Sequence, residues 1–370
     1  MKRILSLILC LALALGICLT AGAETAGSLT MVMVPVDAED MRVAQCLAPK
    51  GYSVTSAADI CSAGRSVTNP LGLLVAAFSP DRRTVMSYES ETTYLELVSS
   101  TLGGSTYRTH TDGAMDPETL TPMARYVKMG NYSVSYLSGM FPGTEMTYIG
   151  SFDLSAYQPT LQRLAQSEYD AMVSLHPEAS GINIDGVECT ADKSVFSCTM
   201  DGEDYRVVVE NVVKATRTTM TIYMPGFGNL VETMIVWSPL CTYVLACPAD
   251  ELETMFPAFE AFVENTTTSD QFNKANSRLA DELRQIVVDA RMEMGQSYSY
   301  SVLRDSVSSG DTYRDDRFSD YIFDQNDYTL SDGTHVKIST SYGYVYEGDN
   351  HEVYFTDSAF PEAGTRLNPN

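Results

Sequence analysis

The most restrictive feature of the sequence is a series of strand-like segments in its middle, joined by very short connections. Asp201-Gly202, which separates the first two segments, is a typical hairpin signal. None of the connections is long enough for a helical crossover, so the sequence predicts a largely antiparallel sheet. The predicted strands are Ser194 to Met200, Tyr205 to Val213, Thr218 to Met224, Leu230 to Trp237 and Cys241 to Ala246.

The part of the chain before this series also alternates between short strands and turns. Pro80 presets its own φ, so Ser79-Pro80-Asp81 is a natural turn. Residues 101 to 118 have a loop composition, and a short helix is predicted from Pro117 to Val127. The predicted strands are Leu29 to Val36, Tyr52 to Thr55, Leu71 to Phe78 and Thr84 to Tyr88.

Apolar residues at helical spacing predict three longer helices. The first, Pro159 to Leu175, ends at His176-Pro177 and carries one apolar stripe: Leu161, Leu164, Ala165, Met172 and Val173. The second is capped by Asp250 with Glu253, contains Pro257 and has as its apolar side Met255, Phe259, Phe262 and Val263. The third begins near Ser269-Asp270, and its stripe is Phe272, Ala275, Leu279, Leu283, Ile286 and Ala290.

Beyond Ser297 the composition shifts to Tyr, Asp, Ser and Gly, which predicts a small β module. Residues 361 to 370 are expected to be a frayed tail. The predicted strands are Tyr328 to Leu330, Val336 to Thr340, Tyr342 to Tyr346 and Glu352 to Phe355.

The N-terminus has the three parts of a secretory signal peptide. Met1-Lys2-Arg3 is followed by the apolar run Ile4 to Leu19 and by Ala21-Gly22-Ala23, so cleavage is expected after Ala23. Lipidation at Cys18 is the minor interpretation, because bulky Ile17 precedes it. The signal peptide places the mature chain outside the cytoplasm. No second long apolar run occurs, so no membrane span is expected in the mature chain.

The chain is strongly acidic, with a formal net charge of −24 at pH 7. Such an excess repels nucleic acid and anionic membranes. It favours solubility over the alternative, an electrostatic role with a cationic partner. Because 44% of the residues are hydrophobic, the composition excludes a disordered chain.

Six cysteines follow the predicted signal: Cys46, Cys61, Cys189, Cys198, Cys241 and Cys247. An even number in an exported chain permits disulfides but does not require them. Cys241 and Cys247 stand at opposite ends of one predicted strand and cannot bridge each other. Cys189 and Cys198 either face each other across a hairpin through Asp192-Lys193 or are buried free thiols. Without a Cys-x-x-Cys pair, neither a zinc ribbon nor a thioredoxin-type site is predicted.

No local catalytic or metal motif is present, so the sequence predicts no catalytic residue, metal or cofactor. The four histidines, His110, His176, His335 and His351, are scattered. A hydrolase whose residues converge only in three dimensions stays open as the alternative. The densest acidic stretch has the carboxylates for calcium but not the spacing of an EF-hand, which favours a solvated, self-paired surface: Asp311, Asp315, Asp316, Asp320, Asp324 and Asp327.

A row of alternating tyrosines, Tyr342, Tyr344 and Tyr346, is the candidate ligand-binding feature. On a strand all three side chains project from one face and could stack on sugars or on an extended peptide. The alternative is that this face packs against the helix of residues 270 to 294. Trp237, the only tryptophan, is predicted to be a core residue.

The order of elements from Leu29 to Val263 is similar to the α/β sandwich shared by the PsbP and Mog1 proteins. The segments Ala-Pro-Lys-Gly-Tyr at 48 to 52, Asn69-Pro70, Ser79-Pro80-Asp81 and Asp-Tyr-Thr-Leu-Ser-Asp-Gly-Thr-His at 327 to 335 also resemble uncharacterised secreted proteins of gut Clostridia-type bacteria. The PsbP resemblance implies an assembly or binding scaffold. Neither resemblance implies a catalytic residue.

The sequence therefore predicts an α+β protein: an antiparallel β-sheet packed with helices in a PsbP/Mog1-like sandwich, a long helix and a small C-terminal β module. The predicted divisions are a signal peptide at 1–23, a sandwich domain at 24–268 and the long helix with its Tyr-rich module at 269–370. The expected function is secreted and non-enzymatic, as a scaffold or as a binder of a cell-envelope or dietary polymer or of another surface protein. A deep pocket with His110 or His176 beside a serine and a carboxylate would instead favour the hydrolase.

Overall fold

The structure is a computed structural model of the 370-residue chain. It describes residues 30–38, 40–60, 66, 69–117, 119–127, 131–176, 181–293, 325–339, 342–356 and 364–369. The predicted signal peptide, Cys61 and the acidic stretch from Asp311 to Asp324 lie outside the described residues.

The described part contains two large sheets, one hairpin and four α-helices. The strands are β1 Met31–Ala38, β2 Met41–Pro49, β3 Ser53–Ile60, β4 Leu71–Phe78, β5 Val85–Ser90, β6 Tyr94–Leu102, β7 Ser105–Thr106, β8 Thr147–Ser151, β9 Ile182–Met200, β10 Glu203–Met224, β11 Gly228–Pro248, β12 Thr267–Thr268, β13 Gln325–Thr329, β14 His335–Ser339, β15 Tyr344–Glu347, β16 Val353–Thr356 and β17 Thr365–Leu367. The helices are α1 Asn131–Met140, α2 Gln158–Leu175, α3 Leu252–Asn265 and α4 Asp270–Glu293.

The larger sheet has nine strands, with seven in the order β3-β4-β5-β11-β10-β9-β8 and with β6 and β7 attached beside β11. Every named strand pair in it is antiparallel. The Asp201-Gly202 hairpin joins β9 to β10, and both residues have the positive φ that a tight two-residue hairpin requires. The prediction of an α+β fold with an antiparallel sheet is therefore confirmed.

The five predicted strands of the middle region are in fact three long ones, β9, β10 and β11. The predicted break before Cys241 contains Pro239, which cannot donate a ladder hydrogen bond. The strand nevertheless continues, because β11 has a bulge here: Val212 and Val213 pair with Cys241 and Pro239, which leaves Leu240 as the extra residue. Pro239 also marks a change of neighbour on the other edge, where β11 pairs with β6 up to Trp237 and with β5 from Cys241 onward.

The second sheet joins the two ends of the described chain in the order β12-β2-β1-β16-β15-β17. Met31 of β1 pairs with Val353 of β16. The expectation of a frayed tail is wrong for β17, whose Thr365 pairs with Glu347. Strands from both sides of residue 268 thus share one sheet, and the domain boundary at that residue stays a prediction.

The main core lies between the two sheets and is built around α3. The predicted apolar side of α3 is confirmed, since Phe259 and Phe262 have no exposed surface. Asp250 is not the cap, because the N-cap position is Glu251 and no side chain caps the helix. Helix α4 begins as predicted, with the Ser269 hydroxyl accepting the amide of Phe272 at 3.0 Å. Of its predicted stripe, Phe272 is buried, Ala275, Leu279 and Leu283 are half-buried, and Ile286 is exposed.

Helix α1 covers the other face of the nine-stranded sheet, whereas α2 packs on the face of the main core, beside Val212 of β10. Val207 and Val209 of β10 belong to the cluster beneath α1, whereas Val208 between them belongs to the main core. A strand buried on both faces has a continuous apolar run, as β10 has here. Helix α2 packs on the sheet through buried Leu161, but Val173 at its far end is 42% exposed.

The predicted helix from Pro117 to Val127 is wrong, and the segment is a loop. Leu120 has φ +50°, which helix geometry does not allow. The Asp116 carboxylate accepts the Thr119 amide at 2.8 Å and the Thr119 hydroxyl at 2.9 Å, which stabilises a turn in place of a helix. The helix of this region is α1, a few residues later.

The cysteines of the described residues are free thiols: Cys46, Cys189, Cys198, Cys241 and Cys247. The predicted hairpin between Cys189 and Cys198 is wrong, because both lie on the single strand β9 and cannot face each other. The alternative of buried free thiols is confirmed for this pair. Burial raises the pKa of Cys46 and of Cys189 to about 12, so these thiols stay protonated at neutral pH.

Candidate functional site

The predicted tyrosine row does not form one open surface. Tyr342 precedes β15 and packs against Phe355 with their ring centroids 4.8 Å apart. Tyr344 and Tyr346 stack on each other at 6.4 Å, and Tyr346 is buried. The guanidinium of Arg366 lies 4.7 Å from the ring centroid of Tyr344. A binding role for the three tyrosines stays a prediction.

A larger aromatic cluster surrounds Trp237, which is buried as predicted. Tyr94 stands opposite Trp237 on the neighbouring strand β6, and the two rings stack with centroids 4.7 Å apart. Tyr126 and Tyr132 contact the same indole at 6.0 and 6.1 Å. The indole N–H donates to the carbonyl of Ala124 at 3.0 Å, so its polar atom is satisfied.

Beside this cluster lies a cavity of about 280 Å³, which we call the Trp237 cavity. Strands β5, β6 and β11, helix α1 and the loop before α1 line it, and it is half-open to solvent. Its walls combine aromatic rings with hydroxyls and one carboxylate. The residues that line it are Glu89, Ser90, Thr92, Tyr94, Ala124, Arg125, Val127, Tyr132, Ser135, Tyr136, Trp237, Pro239 and Thr242.

Glu89 is the carboxylate of the Trp237 cavity. It sits on β5 directly opposite Thr242 of β11, so a paired strand fixes its position. The Tyr136 hydroxyl donates to its Oε2 at 2.8 Å. Burial first, and the Glu89 charge second, raise the pKa of Tyr136 well above its usual value of 10.0. The phenol is therefore a neutral hydrogen-bond donor at physiological pH.

The loop that forms one wall of the cavity is held by a buried ion cluster. Arg108 donates to Glu232 of β11 through Nε at 2.6 Å and Nη2 at 2.9 Å, and through Nη1 to Asp116. Both carboxylates are fully buried. Because Asp116 also organises the turn at Thr119, this cluster ties the segment that carries Ala124 to the sheet.

Ser331, Glu347 and His351 also converge, but not as a catalytic triad. His351 Nδ1 is 3.3 Å from the Ser331 hydroxyl and 2.8 Å from Glu347 Oε1, so one ring nitrogen faces both groups. A triad needs one nitrogen toward the serine and the other toward the acid. The Ser331 hydroxyl instead donates directly to Glu347 at 2.7 Å. The three side chains therefore tie two turns together.

This cluster predicts a pH-dependent contribution to stability. The hydrogen bond to Glu347 raises the pKa of His351 above 6.5. Burial opposes, but the bonds from His351 and Ser331 outweigh it and lower the pKa of Glu347 below 4.5. The histidine contribution is present below pH 6.5 and is lost as pH rises through its folded pKa. The glutamate contribution is present above pH 4.5 and is lost as pH falls through its folded pKa.

The stabilising effect of the pair is therefore expected to be largest between about pH 4.5 and 6.5. The measurement is the urea midpoint of the wild type and of His351→Gln at a series of pH values, with the His351 ring titrated by NMR. A difference in urea midpoint between the two proteins that stays constant from pH 4 to 9 would contradict this account.

Neither of the histidines proposed as discriminators, His110 and His176, lines the Trp237 cavity. His110 Nδ1 accepts the Leu97 amide at 3.2 Å, and its Nε2 is 2.8 Å from Asp112 Oδ1. His176 is buried at the end of α2. Within the described ranges, no three His, Cys, Asp or Glu side chains form a metal-binding group. No helix of the described part is long and apolar enough to cross a membrane.

The chain matches no family model and no curated protein. Among solved structures it is similar to the solution structure of cyanobacterial PsbP from Synechocystis, with 11% identity over 67% of this chain and 98% of the other. The TM-score of that match is 0.17. At such a score the match supports no conclusion about fold or function.

Sequence reasoning missed the Trp237 cavity, although one local signal was available. Tyr132 and Tyr136 are four residues apart, which places both rings on one face of a helix. Tyr94, whose ring stacks on Trp237, lies on β6, and no strand is predicted from the sequence of that segment. The pairing of Tyr94 with Trp237 depends on strand order and could not be read from either segment alone.

Proposed function

We propose that this chain is an exported, non-enzymatic binding protein whose ligand occupies the Trp237 cavity. The observation that carries the proposal is the convergence of four aromatic rings, several hydroxyls and Glu89 on one cavity of about 280 Å³. Binding sites typically combine apolar, aromatic walls with a few placed polar groups. The signal-like N-terminus supports export.

The ligand is a unit of a cell-envelope or dietary polymer. Aromatic faces supply apolar contact area for a sugar or peptide unit, and hydroxyls and a carboxylate supply directional hydrogen bonds. The cavity is the size of one such unit rather than of a long segment. We also propose a PsbP/Mog1-like arrangement of the sandwich. The resemblance to secreted proteins of gut Clostridia-type bacteria is likewise part of the proposal.

The single tryptophan makes the proposal directly testable. All tryptophan emission comes from Trp237, which lines the cavity. Titration with soluble glycan oligomers and peptidoglycan fragments should therefore change the emission when a fragment enters the cavity. If no fragment changes the emission or binds in calorimetry, the proposed function is wrong.

Two serines of α1 provide a matched pair of variants. Ser135 lines the cavity, whereas the exposed Ser138 does not. Ser135→Phe should fill the entrance and weaken binding at least about tenfold, which corresponds to about 1.4 kcal/mol. Ser138→Phe makes the same chemical change on the same helix and should leave binding unchanged. Tyr344→Ala tests the predicted tyrosine row in the same assay.

A further inference from the structure

The polar groups of the Trp237 cavity are biased toward negative charge. Glu89 is the one carboxylate among the lining residues, and its Oε2 accepts the Tyr136 hydroxyl. Arg125 is the one cation among them, but its side chain is 73% exposed and lies 3.5 Å from Asp112 Oδ2. Arg125 therefore carries its own counter-charge at the rim.

Two further carboxylates stand behind the aromatic wall. Glu96 accepts the Tyr126 amide at 2.8 Å, and Glu188 accepts the Tyr126 hydroxyl. Tyr126 in turn contacts Trp237. The chain as a whole has a formal net charge of −24. The long-range field and the local groups thus have the same sign, which attracts cations and repels anions.

The aromatic rings favour the same class of ligand. The face of an aromatic ring is the negative end of its quadrupole, and tryptophan binds cations best. Rings combined with a carboxylate are the chemistry that proteins use to hold alkylammonium groups. A neutral ligand would gain nothing from the Glu89 charge, and an anion would be repelled by it.

We infer that the Trp237 cavity binds an organic cation, an alkylammonium group held by the aromatic rings and Glu89. This inference rests on the proposed function, since it names the chemical class of the ligand for the same cavity. The alkylammonium group belongs either to a small solute or to a unit of a polymer, and both kinds of ligand share this chemistry.

The test compares each cation with a neutral counterpart of the same shape, using Trp237 emission and calorimetry on the mature chain. Choline is compared with 3,3-dimethylbutan-1-ol, which tests the small solute. A fully deacetylated chitin hexamer with its amines protonated is compared with the acetylated hexamer, which tests the polymer-borne amine. In at least one comparison the cation should bind about tenfold or more tightly than its neutral counterpart.

Glu89→Gln removes the charge but keeps an oxygen that can accept the Tyr136 hydroxyl, so the fold of the cavity is preserved. The preference for the cation should fall below about threefold in this variant. Glu188→Gln, which removes a charge outside the cavity wall, should keep most of the preference. Ser135→Phe should abolish the binding of the cation and of its neutral counterpart, which would show that both bind in the cavity.

The outcomes separate this inference from the proposed function. Equal binding of cation and neutral counterpart in both comparisons, or a preference that Glu89→Gln leaves intact, would overturn the cation inference while the binding function stands. Failure of every ligand, charged or neutral, to reach the cavity would overturn both.

Discussion

Replacing Arg108 by alanine should lower the free energy of unfolding by about 3–5 kcal/mol. Arg108 is the cation between Asp116 and Glu232, and neither carboxylate has exposed surface. Without it two buried negative charges lose their counter-charge, and the cost of keeping them from water is no longer offset. A loss of this size is a large part of the 5–15 kcal/mol that stabilises an ordinary domain.

The control is Arg42→Ala, which removes the same side chain from an ion pair with Asp37 that is about half exposed. Exposed pairs of this kind contribute less than about 1 kcal/mol. Urea denaturation of the three proteins measures the difference. If Arg108→Ala and Arg42→Ala lose similar amounts, the buried cluster is not the anchor described above.

Arg108→Ala should also weaken the binding of any ligand in the Trp237 cavity. The segment that Arg108 holds leads to Ala124, which accepts the indole N–H of Trp237, and to Arg125 at the rim. A looser wall leaves the cavity less preorganised, which reduces affinity without removing a contact residue. The stability of the fold and the shape of the cavity thus depend on the same ion cluster.

Phe259→Ala should be equally destabilising, by about 3–5 kcal/mol, for a different reason. Phe259 is fully buried on α3 in the core between the two sheets. Its removal loses the transfer free energy of the ring and leaves a void that the surrounding side chains fill only partly. Thermal or urea unfolding followed by far-UV circular dichroism measures the loss.

Phe227→Ala is the matched control, because this phenylalanine is 68% exposed near the turn between β10 and β11. It should change stability by no more than about 0.5 kcal/mol. The main core contains residues of both sheets, so Phe259→Ala should shift one common transition. Two separate transitions, with only one of them shifted, would show that residues 269–370 form a separate domain.

Part of this fold could be predicted because the signals are local. Apolar periodicity located α2 and α4, and the Asp201-Gly202 pair located the hairpin between β9 and β10. Each of these depends on residues within a few positions of one another. Local signals failed where the pairing of distant segments decided the outcome, as at Pro239, where a bulge at Leu240 lets β11 continue past the proline in its pairing with β10.

The sequence by itself determined the class of the fold, because short connections between strands permit only antiparallel pairing. It also determined the acidic charge of the chain. The tertiary structure alone decided that β1 pairs with β16, that Arg108 lies between two buried carboxylates, and that Tyr94 stacks on Trp237 beside Glu89. The physical reason is that these contacts join segments far apart in the chain, and neither segment carries the identity of its partner.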